Sequence, residues 1–312
     1  MKITIYNSTG DFERLQPVWD DLLRRSAHNL FFMTYHYQRI WWQHLGRGDL
    51  RLMAVFDDDD HLVGLAPLFC ELTESGLRQL NFVGCVDVSD YLDLLVDTAH
   101  TEQVYETLLD CLAGEAIEWD VLSLCSLPHD SPTHSRFAAA ARRRGWAVEV
   151  RQQTVCPVIT LAASWDEYLA GISKKQRHEI RRKIRRLEAE AESRWVVVES
   201  KVEIAAAMPA FFELHRKSTR DKEDFWDADL LRFFEALARQ TAASGHFKLY
   251  FIELNGVQAA ALLCFDYDNQ FLLYNSGYDP EQFAHLSPGN VLISYTIQDA
   301  IRLGRSRYDF LR

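Results

Sequence analysis

The two halves of this chain pass through the same order of patterns: a strand, two helices, an antiparallel meander, a helix and a last strand. An internal duplication is the economical account of that order, and it constrains the fold more than any single residue does. The closest local parallel sets FDDDDHLVGLAPLFC beside FIELNGVQAAALLCF, in each case a strand end, a turn and an apolar strand. In the first half, residues 3–6 read as a strand, and Leu15, Val18, Trp19, Leu22 and Leu23 recur at helical spacing after Asp11. A second helix at about 34–45 follows. LRLMAVF, HLVGLAPLFCEL, LRQLNFV and YLDLLV then alternate with polar turns at 57–60 and 74–76, as antiparallel strands do. Helices near 101–114 and 132–144 flank the strand DVLSLCSL, and AVEVRQ and CPVITL supply further strands. The second half offers strand RWVVVES, helices near 203–220 and 228–243, and a hairpin of KLYFIEL with VQAAALLCFDY through Asn255-Gly256, a type I′ signal. Strand FLLYNSGY, a helix near 288–303 and strand SRYDFL complete it. The sequence therefore predicts an α/β (α+β) fold with mixed sheets in two domains, 1–155 and 156–312, without a Pro/Gly/Ser-rich linker between them.

Composition removes several classes. A chain of 312 residues that is 48% hydrophobic and 12% aromatic builds real cores. A formal net charge of −11 argues against a general nucleic-acid coat. The six cysteines are scattered without CxxC spacing and read as small buried thiols in a reducing compartment. MKITIYNSTG has no apolar signal core and no run reaches the roughly 18 apolar residues of a membrane span, so a soluble cytoplasmic protein is expected. No metal site is expected: the Asp run at 57–60 is a solvated turn, and His129, Asp130 and His134 are too sparse for a centre. GxSxG, GxxxxGK[ST], GxGxxG and HExxH are all missing.

Two segments depart from the background. Residues 173–186 hold eight Lys or Arg and one Glu in fourteen positions. Ile172, Ile180, Ile184 and Leu187 give this segment a narrow apolar stripe, and Ser173 with Gln176 forms a capping box at its start. Lys174 and Lys175 fall in the first turn, where the helix dipole disfavours cations by about 0.3–1 kcal/mol each. A solvated helix face explains such a run, and so does an anion that docks on it; Lys174, Lys175, Arg177 and Arg181 are the candidate contacts. The second segment is Ser287-Pro288-Gly289-Asn290, directly after an aromatic strand and loop. Ser at the cap and Pro at the first position start a helix. Gly289 costs that helix about 1 kcal/mol relative to Ala but leaves bare amides for a phosphate. The plain alternative is a capped helix in which Gly289 relieves packing.

The order WDEYLAGISKKQRHEIRRKIRRLE, FFELHRKS, the Asn255-Gly256 hairpin, YNSGYDP, LSPGNVLISYTIQDAIRLG and RYDFL resembles the CelD/BcsL group of acyltransferases. That group belongs to the Gcn5-related N-acetyltransferase (GNAT) superfamily and is related to the Fem aminoacyltransferases. The likeness covers the second half well, while LVGLAPL and a D-Y-x-D strand at 90–93 fit the degenerate first unit of tandem (FemAB-type) proteins. The resemblance implies a mixed sheet splayed at its middle, an acyl thioester in the gap, and its pyrophosphate on the helix that opens at 287–290. It implies no permanently bound cofactor and acyl-CoA as donor substrate, with an acyl carrier protein or aminoacyl-tRNA as alternative donors. It makes Ser287, Gly289 and Asn290 the donor-binding residues, and the basic helix the counterpart of a Fem-type helix associated with anionic substrates. Such relatives usually continue past the last strand with a Gly and a Tyr-Lys pair, whereas this sequence stops at Arg312.

Acyl transfer needs a deprotonated nucleophile, a polarised carbonyl and a proton for the departing thiolate. Tyr274, Tyr278 and Asp279 lead into the phosphate helix: Tyr278 is the candidate acid, and Asp279 a base or orienter. The bland reading of Asp279-Pro280 is an ordinary turn. His215 is a candidate base, or a satisfied core histidine. Arg220 joins the acceptor contacts, and Trp226 beside Phe225 reads as core or as the lining of an apolar pocket. The function expected is acyl transfer to an amine or hydroxyl of an anionic or sugar-containing acceptor, small or linked to a lipid or nucleotide, as in surface polysaccharide synthesis. The alternatives are a Fem-like transferase using charged tRNA and a non-catalytic module docking through 173–186.

Overall fold

The computed structural model describes residues 1–85, 88–219 and 225–312. The chain splits into two compact units, Met1–Thr154 and Val155–Arg312. The first unit runs β1 (Lys2–Tyr6), α1 (Asp11–Arg25), α2 (Tyr35–Leu45), β2 (Asp49–Phe56), β3 (Leu62–Leu72), β4 (Arg78–Phe82), β5 (Leu95–Val96), α3 (Thr101–Ala113), β6 (Val121–Ser123) and α4 (Ala138–Arg143). Its sheet has the order β1-β2-β3-β4-β6, with β5 beside β3. Pairing is antiparallel except between β4 and β6, which are parallel over Gln79, Leu80 and Asn81. α1 forms where its apolar positions predict: Phe12, Leu15, Trp19, Leu22 and Leu23 are buried, and Asp11 and Glu13 lie in its first turn, Arg24 and Arg25 in its last, matching the dipole.

The second unit runs β7 (Val158–Thr160), α5 (Trp165–Gly171), α6 (Lys174–Glu190), β8 (Ser193–Val198), α7 (Lys201–Ser218), α8 (Ala228–Thr241), β9 (Phe247–Leu254), β10 (Val257–Tyr267), β11 (Gln270–Tyr278), α9 (Pro288–Arg302) and β12 (Arg307–Asp309). Its sheet order is β7-β12-β11-β10-β9-β8. From β8 to β12 it repeats the topology of the first unit, down to a parallel pair, β11 with β12. Both faces are covered. Tyr250, Ile252 and Leu254 of β9 meet Leu187 of α6 and Val291 and Leu292 of α9 in one core. The alternate residues Leu249 and Phe251 are equally buried on the other face, where α7 and α8 lie. Asn255 and Gly256 turn the β9–β10 hairpin at φ 51° and 79°, the two positive values a type I′ turn requires.

Three expectations fail. YLDLLV is a strand only at Leu95–Val96, so the D-Y-x-D segment at 90–93 is not one. The Asp93 carboxylate accepts from the Leu94 amide and the Thr133 hydroxyl, a local bonding pattern that competes with a ladder. AVEVRQ, residues 147–152, forms no strand. Cys85 and Cys125 are joined in a disulfide rather than both being buried thiols.

Candidate active site

Beyond Leu272, β11 loses one neighbour. β12 pairs with it only at Gln270, Phe271 and Leu272, while β10 stays paired out to Tyr278. The sheet thus opens between β11 and β12. The β10–β11 register passes from Leu273 to Asn275, so Tyr274 is an extra, bulged residue where the strands part. Its ring packs on Phe234 and Phe265, with centroids 5.5 and 5.2 Å away. The Asp279 amide donates to Ala259 O at 3.1 Å. Hydrogen-bonded pairs alternate in an antiparallel ladder, so Asn275 and Gly277 turn their backbone groups to β10, and Ser276 and Tyr278 turn theirs to the open side.

α7 lies directly on this edge because residue 277 is glycine: a Cβ there would sit 2.4 Å from the His215 backbone nitrogen. His215, 1% exposed, is thereby brought to β11, where its Nε2 is 2.7 Å from Asn275 Oδ1. The Trp226 indole N–H donates to His215 Nδ1 at 2.9 Å. An imidazole with Nδ1 accepting carries its proton on Nε2, so His215 is a donor to Asn275 and its basic lone pair is already engaged. That arrangement does not suit the general base expected of it. Trp226, 7% exposed and packed on Phe212 and Phe234, belongs to the core.

Tyr278 is 37% exposed at the end of β11. Asp279 follows in the turn reading: its Oδ1 accepts from the amides of Glu281 and Gln282 at 2.9 and 3.2 Å, and its Oδ2 lies 3.7 Å from Lys217 Nζ. Both oxygens are thus committed to holding the loop, which fits an orienter better than a base. Nine residues on, α9 begins without a side-chain cap. Ser287 lies at φ 55°, ψ 50°, in the left-handed region, and its hydroxyl bonds no first-turn amide, contrary to the expected cap. A left-handed residue against right-handed neighbours turns backbone N–H groups into one concavity. The first intrahelical bond is from Val291 to Ser287, so the amides of Gly289 and Asn290 precede the helix ladder. A Cβ on Gly289 would meet nothing within 4 Å, which rules out packing relief as its reason.

α6 is capped as expected, the Ser173 hydroxyl accepting from the Gln176 amide. Its polar surface divides in two. Arg182 pairs with Glu179, and Arg186 with Glu190. Lys174, Arg177, Arg181 and Arg185, at i, i+3, i+7 and i+11, form a separate stripe without an ion pair among the described residues, and Lys175 has none either. Arg220 lies outside the described residues.

The first unit treats the matching places differently. β4 ends at Phe82 in a turn, and Cys85 is bonded to Cys125 just past β6, so the parallel strands are tied together where β11 runs on as an open edge. The helical turn Thr98–His100 leading into α3 is capped by Asp97, which accepts from the Ala99 amide and pairs with Arg25. A carboxylate thus fills the position that stays bare before α9.

Residues 174–312, most of the second unit, match the acetyltransferase (GNAT) domain family. The fold of nearly the whole chain is that of FemX, with a TM-score of 0.65 at 11% identity over 99% of this chain and 88% of that one. It is shared with the C-terminal domain of a putative lysylphosphatidylglycerol synthetase from Agrobacterium fabrum, TM-score 0.54 at 10% identity over 97% and 79% of the two chains. L-PGS from Bacillus licheniformis gives 0.54 at 12% identity over 97% and 78%. At these identities the likeness is one of fold. No curated protein matches the chain. The mixed α/β tandem expected from the sequence is the fold observed.

Proposed function

We propose that the second unit transfers an acyl group from a coenzyme A-type thioester to an amine or hydroxyl, and that the first unit does not catalyse. The observation that carries this reading is the opening between β11 and β12, which leads to a helix N-terminus with open space at Gly289. The donor's amides would lie along the Ser276 and Tyr278 edge, and its diphosphate on the Gly289 and Asn290 amides, where the helix dipole favours an anion. The acceptor's nitrogen or oxygen attacks the thioester carbonyl carbon, the C–S bond breaks, and the departing thiolate takes a proton from the Tyr278 hydroxyl, while the proton the acceptor loses passes to solvent water, which returns one to the Tyr278 phenolate. Tyr274 fixes the bulge, and Asp279 fixes the turn that carries Tyr278. The bare stripe of α6 supports an anionic acceptor, held by Lys174, Lys175, Arg177 and Arg181. A sugar-containing surface-polysaccharide precursor fits the CelD/BcsL resemblance.

Thermal melting with acetyl-CoA, longer acyl-CoAs and CoA tests the donor. A ligand at 100 times its dissociation constant stabilises by about 2.7 kcal/mol, and Gly289→Glu should abolish that gain. Equal stabilisation of both proteins would overturn the diphosphate position, and no stabilisation of either would remove the thioester donor. The same α6 stripe favours a second reading, charged tRNA as donor, which requires activity to disappear on ribonuclease treatment.

A further inference from the structure

The contacts among Trp226, His215 and Asn275 run from the α7–α8 face of the sheet to the open edge of β11 and end on a backbone amide. Ser276 N–H donates to Asn275 Oδ1 at 2.9 Å, and the same oxygen is 2.7 Å from His215 Nε2. A backbone amide only donates, so the carboxamide atom facing it must be the oxygen, which makes His215 Nε2 the second donor. From the other end the indole N–H also only donates, which makes Nδ1 the acceptor. Both ends therefore demand one histidine tautomer and one amide orientation. His215 is buried, and Gly277 lets the α7 backbone that carries it lie close against β11. Ser276 is one of the two residues whose backbone groups turn to the open side, and its amide is the one this chain of bonds holds.

We infer that His215 and Trp226 are positioning residues for acyl transfer: through the Asn275 carboxamide they fix the stretch of β11 beyond Leu272 against which the thioester lies. The inference rests on the donor reading above. It gives His215 a part in the reaction that proton transfer does not. Neutral donation from Nε2 is what counts, so a glutamine, whose Nε2 takes that place, should serve where an asparagine, which mimics only Nδ1, should not.

The test uses the full chain with His215→Gln, His215→Asn and Trp226→Phe, read by amide hydrogen exchange and by steady-state kinetics with acetyl-CoA. His215→Asn and Trp226→Phe should speed exchange at Ser276 at least tenfold while leaving β9 unchanged. They should also lower kcat at least tenfold with melting temperatures close to that of His215→Gln, which should stay within about threefold of wild type. Ser276 exchange equal in wild type, His215→Asn and Trp226→Phe would overturn the relay, whatever the donor. Faster exchange with unchanged kcat would reduce the three residues to a structural role and overturn the inference too. A wild type that never binds acetyl-CoA would instead sink the donor assignment, with the exchange data still deciding whether the relay exists. If His215→Asn does not fold, Trp226→Phe, which removes one donor and keeps the packing, decides alone.

Discussion

Two glycines of the second unit have opposite physical reasons, and that contrast is measurable. Gly277 is required by contact: an added Cβ lies 2.4 Å from His215 N and 2.5 Å from the Leu214 carbonyl carbon, backbone atoms that cannot rotate away. Gly277→Ala should therefore lift α7 from β11 and cost about 1–3 kcal/mol, as overpacking does. Gly289 faces open space inside a helix, and Gly289→Ala should stabilise the fold by up to about 1 kcal/mol through helix propensity alone. Urea midpoints of the two variants moving in opposite directions would bear this out; a Gly277→Ala protein as stable as wild type would refute the close approach. Only the second glycine could be singled out from sequence, because Ser-Pro-Gly-Asn is a local signal at a helix start. The need for Gly277 arises from a helix some sixty residues away, and so does the His215–Asn275 bond. No spacing rule encodes contacts between α7, the segment before α8 and β11. His215 showed in the sequence only as a lone histidine on an apolar helix.

At the level of elements, the hairpins and helices were legible wherever local chemistry and periodicity agree. Asn255-Gly256 supplies two positive φ values, and Ser173 and Gln176 cap α6 as their spacing suggests. Legibility failed where side chains override the ladder, as at Asp93, and where an element's end is set by something distant in sequence. The disulfide belongs to the second kind, since cysteines 40 residues apart without a motif give no pairing signal. It closes a long loop across the parallel strands β4 and β6, which pair over only three residues. Breaking it should cost about 2–4 kcal/mol by the loop-entropy account. Reductant should therefore lower the urea midpoint of wild type and leave Cys125→Ser unaffected, both proteins ending at one value. A wild type indifferent to reductant would show that the link does not support the fold.

Across the whole molecule, charge is arranged so that one element contradicts the rest. The chain carries −11 overall, yet α6 presents Lys174, Arg177, Arg181 and Arg185 over about 16 Å of helix with no acidic partner among the described residues. The rest of the chain sums to a net negative charge, so an anionic acceptor or donor is drawn to this stripe and its association must weaken as salt screens the attraction. The extent separates the two readings of the function. A single-stranded nucleic acid that places four phosphates on the four cations has a salt slope near −0.7 per contact, which is roughly a 50-fold loss of affinity between 50 and 200 mM salt. A sugar diphosphate engages fewer charges at closer range and should lose several-fold at most over the same interval. Replacing Arg177 and Arg181 by alanine should lower the slope by about 1.4 for the nucleic acid. Both residues face solvent or its margin, so the substitution should shift stability by no more than about 0.5 kcal/mol. An affinity for either ligand that ignores salt and survives the double substitution would mean that the stripe is solvated surface and that the acceptor is held elsewhere.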